Sequence, residues 1–192
     1  MSVPNTPMSV AQFLEWEARQ PTRHEFDGVR PVAMVGGTRA HATIQRNLAI
    51  SVGGRLLGGP CAFYGSDLKI RTAGDTVRYP DGFVTCTSGT ARDTVVGDPV
   101  VIFEVLSDST ATTDFREKNG EYAATPSVRR YVMLYQDKIA AVMFERGGDD
   151  WIGHLLAPDS VLMMPEIGIE LPLAELYRGV EMAGEVKGEE EG

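Results

Sequence analysis

The chain has 192 residues, 43% of them apolar and 23% charged, which suits one globular domain with a core of its own. Its net charge of −9 argues against a protein that grips nucleic acid through a broad basic surface, because phosphate contacts need Lys and Arg. No apolar run approaches the roughly 20 residues that span a bilayer, so no membrane role is expected.

Several glutamates collect between Glu181 and Glu191, and residues 179–192 read as an acidic, disordered tail behind a single domain over residues 1–178. Without that tail the domain is only mildly acidic, which leaves room for a local basic groove. The opening MSVPNTPMS has no basic stretch followed by an apolar core, so no signal peptide is expected and a cytoplasmic location is. Cys61 and Cys86 lie in no metal-type spacing; one disulfide is possible, but two reduced buried thiols are the expectation for a cytosolic chain.

In chain order, Ser9 and Gln12 have the spacing of a capping box for a first helix to about Arg19. His24–Phe26 and 29–35 read as two strands around the turn dipeptide Asp27-Gly28. Thr38 caps a second helix to about Leu57, with Ile44, Leu48, Val52 and Leu56 as its apolar stripe. Residues 61–71 and 77–87 read as two strands around Ala73-Gly74-Asp75, followed by a loop to Asp98.

Residues 99–109, PVVIFEVLSDS, form the most apolar β-branched run in the chain. They read as a strand buried on both faces in the middle of a sheet. One acid, Glu104, interrupts the run, and a carboxylate there is costly unless it is paired, hydrogen-bonded or bound to a metal. A third helix is expected from Ser109 or Thr110 to Ala124, then a hairpin of 128–134 with 139–145, a strand at 151–156, extended pieces near 161–164 and a helical turn at 172–177. The order describes a mixed α/β domain with its sheet sandwiched by helices.

Three acids invite a function: Glu25 before the Asp27-Gly28 turn, Asp81 after Pro80, and Glu104. If the strands of Asp81 and Glu104 pair, both carboxylates reach one end of the sheet, a donor set suited to Mg²⁺. The bland readings are a turn acid for Asp81, a structural ion pair for Glu104 and an exposed strand acid for Glu25. Lys69 alternates with Leu68 and Ile70 and falls on the more polar face of its strand, where it is simply exposed or a site residue. Lys118 has Asp114 four residues earlier and so has an ordinary i, i+4 pairing as its bland reading. His41 reads as a surface or groove residue rather than a metal ligand.

The order and spacing of Tyr79-Pro80-Asp81, Glu104-Val105-Leu106-Ser107 and Ser109-Thr110 resemble the Uma family of restriction endonucleases, a branch of the PD-(D/E)XK nuclease superfamily. Glu25-Phe26-Asp27-Gly28, 37–41, Asn47-Leu48, 64–69, Glu117-Lys118 with Tyr122, and 171–177 extend the likeness over nearly the whole chain. The resemblance implies a restriction-endonuclease-like α/β core, a mixed β-sheet flanked by α-helices. It implies cleavage of DNA phosphodiester bonds with Mg²⁺ or Mn²⁺, Asp81 and Glu104 as metal ligands and Glu25 as a helper acid. It departs at Leu106, where the superfamily has a lysine two residues beyond the second acid; Lys118 is the matching replacement and Lys69 a second candidate. The rival is a catalytically inactive module that keeps the fold for binding or assembly. A homodimer is expected by analogy, with the hairpin of 128–134 and 139–145 offering an edge.

Overall fold

The computed structural model describes residues 7–34, 36–107 and 114–182. The expected start of the third helix at Ser109 or Thr110 lies outside these residues, as does the tail from residue 183 onward.

Helix α1 (Val10–Glu17) begins at the expected capping box: Ser9 Oγ accepts the Gln12 N–H, and Gln12 Oε1 accepts the Ser9 N–H at 2.8 Å. Strands β1 (His24–Phe26) and β2 (Pro31–Ala33) form the first hairpin. Asp27 Oδ1 accepts the N–H groups of Val29 and Arg30, and Gly28 takes a φ of +92°, a conformation a side chain would strain. Helix α2 (Arg39–Leu48) starts on the Thr38 cap and runs on through a π-helical turn (Ala49–Gly53) to Gly54–Leu56, with the whole expected apolar stripe buried.

The two strands expected around Ala73-Gly74-Asp75 are each broken in two. Strands β3 (Ala62–Gly65) and β6 (Gly82–Thr85) pair in one sheet, while β4 (Lys69–Arg71) and β5 (Val77–Arg78) pair in another. Pro80 stands at the break on the returning arm, where a residue without an N–H cannot continue a ladder. The loop beyond carries a short β7 (Val95–Val96) parallel to β4. The smaller sheet has the order β2-β1-β5-β4-β7.

Strand β8 (Val101–Leu106) is buried at all six positions and lies between β6 and β9 (Arg130–Tyr135), antiparallel to the first and parallel to the second. With β10 (Ala141–Gly147) and β11 (Asp150–Leu156) the larger sheet has the order β11-β10-β9-β8-β6-β3. The hairpin offered above as a free edge is therefore interior, since β11 covers β10. Strands β12 (Val161–Met164) and β13 (Ile169–Pro172) pair separately, and a 3-10 helix (Leu173–Tyr177) follows.

Alternation along β8 divides the core. Val101, Phe103 and Val105 pack with Ile44 and Leu48 of α2 and with Val52 of the π-helical turn that continues it. Ile102 and Leu106 pack with Phe83, Tyr131 and Tyr122, the last from α3 (Asn119–Ala124), which is entered through a π-helical turn (Asp114–Lys118). Glu104 thus belongs to the α3 side. A third cluster, with the Phe13 and Phe26 rings stacked at 5.0 Å, fastens α1 to the smaller sheet.

Cys61 and Cys86 form a disulfide, which corrects the expectation of two free thiols. The β3–β6 register explains it: Ala62 pairs with Thr85, so the next positions outward are the two cysteines. Nothing in the linear spacing of the two residues reveals that opposition. Among the described residues no helix is long and apolar enough to cross a membrane.

Candidate functional site

Gly82 of β6 pairs with Phe103 of β8, and the next step along both strands sets Asp81 against Glu104. The strands that carry the two acids thus pair, and both acids lie toward the same end of the larger sheet. Asp81 Oδ2 accepts the Val105 N–H at 2.6 Å. Gln45 Nε2 donates to Asp81 Oδ1 at 2.6 Å, and His41 Nε2 lies 3.2 Å from Oδ2.

Glu104 is buried, and its carboxylate is matched. Lys118 Nζ donates to Glu104 Oε1 at 2.9 Å and Tyr122 O–H donates to the same oxygen at 3.3 Å. Burial first, and then the charges of Glu104 and Glu25, push the Tyr122 phenol well above its ordinary range, so it remains an O–H donor. Leu106, the position of the expected strand lysine, is buried among apolar side chains, and the amine reaches the acid from the turn ahead of α3 instead. The Asp114 side chain lies outside the described residues; Lys118 pairs with Glu104 and Glu25.

Glu25 closes the other side. Its Oε1 accepts the Tyr79 N–H at 3.0 Å and lies 3.5 Å from Lys118 Nζ, while Oε2 accepts from Arg78 Nη1 at 3.3 Å. Arg78 also grips Glu121 with two bonds, at 2.9 and 2.6 Å. Burial alone would lower the Arg78 guanidinium, but the Glu121 bonds and the Glu25 charge raise it above its ordinary value and hold it charged. Together with the partly buried Glu121, the buried charges form one chain, Glu121–Arg78–Glu25–Lys118–Glu104, in which each carboxylate meets a cation.

Lys69 stands apart from this chain. It is buried rather than exposed, and its Nζ donates to Glu17 Oε2 at 2.7 Å and to Tyr79 Oη at 3.1 Å, while Tyr79 donates to Glu17 Oε1 at 3.0 Å. Burial acts to lower the lysine, yet the bonds to Glu17 and Tyr79 outweigh it and raise it. Glu17, Gln45, Arg78 and Glu121 are not marked by the sequence, whereas Tyr122 falls within the family resemblance. Glu17 is an acid in a short amphipathic helix and Gln45 a polar residue beside an apolar stripe, so neither carries a local sign of its role.

Among the described residues no group of three or more His, Cys, Asp and Glu is arranged to hold a metal. Asp81 and Glu104 nevertheless offer hard oxygen donors at opposed positions. Mg²⁺ commonly binds through one or two carboxylates and fills its shell with water and phosphate oxygens, so two acids fit it.

A family model, Uma2, described as "Putative restriction endonuclease", matches residues 10–174. An uncharacterized protein of Synechocystis sp., slr1290, is 31% identical over 183 residues, which cover 93% of this chain and 96% of that protein. A second Synechocystis protein, sll1609, is 25% identical over 154 residues, 76% of this chain and 85% of that one. The crystal structure of "a putative nuclease belonging to DUF820" from Anabaena variabilis superposes with a TM-score of 0.75, covering 90% of this chain and 98% of that chain, at 14% identity. At that identity the superposition speaks for the fold, a restriction-endonuclease-like α/β core. A family match running from α1 to the closing 3-10 helix, joined by a relative similar along nearly its whole length, makes this chain a member of the Uma2 family.

Proposed function

We propose that the protein is a metal-dependent endonuclease that hydrolyses DNA phosphodiester bonds, with Mg²⁺ or Mn²⁺ held by Asp81 and Glu104. The observation that carries this reading is the 2.9 Å bond from Lys118 to Glu104 beside the opposed Asp81, which assembles two acids and an amine although the strand position two beyond the acid is Leu106. The ion, when bound, supplies a more acidic water and a positive charge against the phosphoryl oxygens.

The chain's own groups do the rest. Lys118 Nζ, next to Glu104, sets a positive charge where the phosphoryl group gains negative charge. Tyr122 keeps its proton and orients Glu104 through its O–H. Glu25 acts as the helper acid by bracing Lys118, and the backbone N–H of Tyr79 fixes Glu25 in turn. Lys69 bonds Tyr79 two residues before Asp81 and acts on the site through that turn rather than on substrate. A homodimer, one copy per DNA strand, belongs to this reading by analogy with nucleases that cut duplexes.

The test is cleavage of linear, nicked and single-stranded DNA with Mg²⁺ or Mn²⁺ by wild type, Asp81→Ala and Glu104→Ala. Cleavage by wild type that both variants lose is the expected result. Equal residual cleavage by all three overturns the reading.

A further inference from the structure

Asp81 belongs to a strand end, yet most of what holds its side chain comes from α2. Gln45 Nε2 bonds Oδ1 at 2.6 Å and His41 Nε2 approaches Oδ2 at 3.2 Å. His41 and Gln45 are four residues apart and so stand one above the other on the same side of the helix. The side chains of His41 and Asp81 are only 16% and 12% exposed, so little water competes for these contacts.

The helix that carries them is itself fixed at both ends and along its length. Thr38 caps the first turn and donates to Gln136 Oε1 at 2.6 Å, beyond the end of β9. Ile44 and Leu48 are fully buried in the core. Asn47 Nδ2 donates to the carbonyls of Leu176 and Arg178, each at 2.9 Å. Oδ2 of Asp81 is fixed independently by the Val105 N–H, on the strand that carries Glu104. Both carboxylate oxygens are thus oriented, one from the helix alone and the other from helix and strand together.

We propose that His41 and Gln45 are positioning residues that orient the Asp81 carboxylate for shared coordination of a divalent cation with Glu104. The proposal rests on the metal-dependent reading above. A carboxylate free to rotate loses affinity each time it leaves the productive orientation, and hydrogen-bond partners behind metal ligands commonly govern 10–100-fold of metal affinity. Neither residue is assigned contact with substrate or with the reacting atoms. Their effect passes through Asp81.

The experiment is calorimetric titration of the full chain with Mn²⁺, comparing wild type with Asp81→Ala, Gln45→Met, His41→Leu and His41→Gln. Gln45→Met removes the donor while keeping side-chain length, and His41→Gln keeps an N–H near the place of Nε2. The expected result is no Mn²⁺ binding by Asp81→Ala and affinity weakened about 10–100-fold in Gln45→Met and His41→Leu. His41→Gln recovers most of the loss, and thermal melts of the helix variants stay close to wild type. A merely structural role would move the melts and leave the His41→Gln comparison flat. Wild-type Mn²⁺ affinity in folded Gln45→Met and His41→Leu overturns the positioning role alone, provided Asp81→Ala abolishes binding. Absence of Mn²⁺ binding in wild type overturns the metal site and this inference with it. Should His41→Leu fail to fold, Gln45→Met decides by itself.

Discussion

Lys118 and Glu104 meet at 2.9 Å across the gap between a helical turn and a strand, so the amine reaches the acid from another element instead of from two residues along the same strand. The arrangement leaves Leu106 free to serve the core, where it packs with Tyr122, Tyr131 and Met133. The first prediction separates the two lysines. Lys118→Ala lowers DNA cleavage by about 10²–10³-fold, the usual effect of removing one donor to a developing charge. Lys69→Met acts first on stability and lowers cleavage less. Single-turnover rates at saturating Mn²⁺, beside urea melts, tell the two apart.

The same pair has a folding consequence. Removing one member of a buried ion pair strands the other and costs about 3–5 kcal/mol. Lys118→Met is expected to fall in that range, and adding Glu104→Gln recovers part of the loss because the orphaned charge is gone. Urea denaturation of the two single variants and the double variant measures the coupling.

Lys69 and Tyr79 together predict an alkaline limb. Both titrate higher in the folded chain than in the unfolded one: in Lys69 the bonds to Glu17 and Tyr79 overcome burial, and in Tyr79 burial outweighs the lowering effect of Lys69. Their contribution to stability is therefore fully present below about pH 10 and fades as the pH climbs through the folded values. Unfolding free energies from pH 8 to 11.5 show this decline, and the Lys69→Met, Tyr79→Phe pair flattens it.

The disulfide gives a third stability test. Denaturing the protein without reductant exposes no titratable thiol, and reduction exposes Cys61 and Cys86. The cross-link spans 25 positions, for which constraint of the unfolded chain is worth about 3.5 kcal/mol, so reduction lowers the melting temperature. A thiol count with and without reductant, paired with two melts, checks both statements.

Gly82 stands next to Asp81 and carries the strand close under an aromatic ring: a Cβ there would lie 2.6 Å from Phe63 Cζ. Gly82→Ala must push that ring away and is expected to cost about 1–3 kcal/mol, as overpacking does. The crowded strand leads directly into Asp81, so Mn²⁺ affinity is expected to fall as well. Combining Gly82→Ala with Phe63→Leu recovers part of both, measurable by calorimetry and thermal melts.

Local signals made much of the fold legible. The Ser9–Gln12 box, the Asp27-Gly28 turn and the stripe from Ile44 to Leu56 each state their structure within a few residues, and the structure follows them. The uninterrupted apolar run around Glu104 announced a central strand for the same reason. What escaped depends on register between distant segments. Cys61 and Cys86 oppose each other only once β3 and β6 are paired. Lys69 alternates like an exposed residue, yet Glu17 from α1 and Tyr79 from across the turn enclose it. Gln45 looks like any polar residue on a helix until Asp81 is brought beside it. Pro80 was in plain view, but its meaning, a chain leaving one sheet for another, needs both partners of the broken hairpin.

That crossing at Pro80 gives Asp81 a mechanical address. The acid rides on the corner where the long hairpin passes from the smaller sheet to the larger, whereas Glu104 is embedded in the larger sheet's centre. The Asp81 carboxylate is nevertheless tied to the larger sheet through the Val105 N–H and to α2 through Gln45. A twist of the smaller sheet at that corner would have to break these two bonds before it moved the acid.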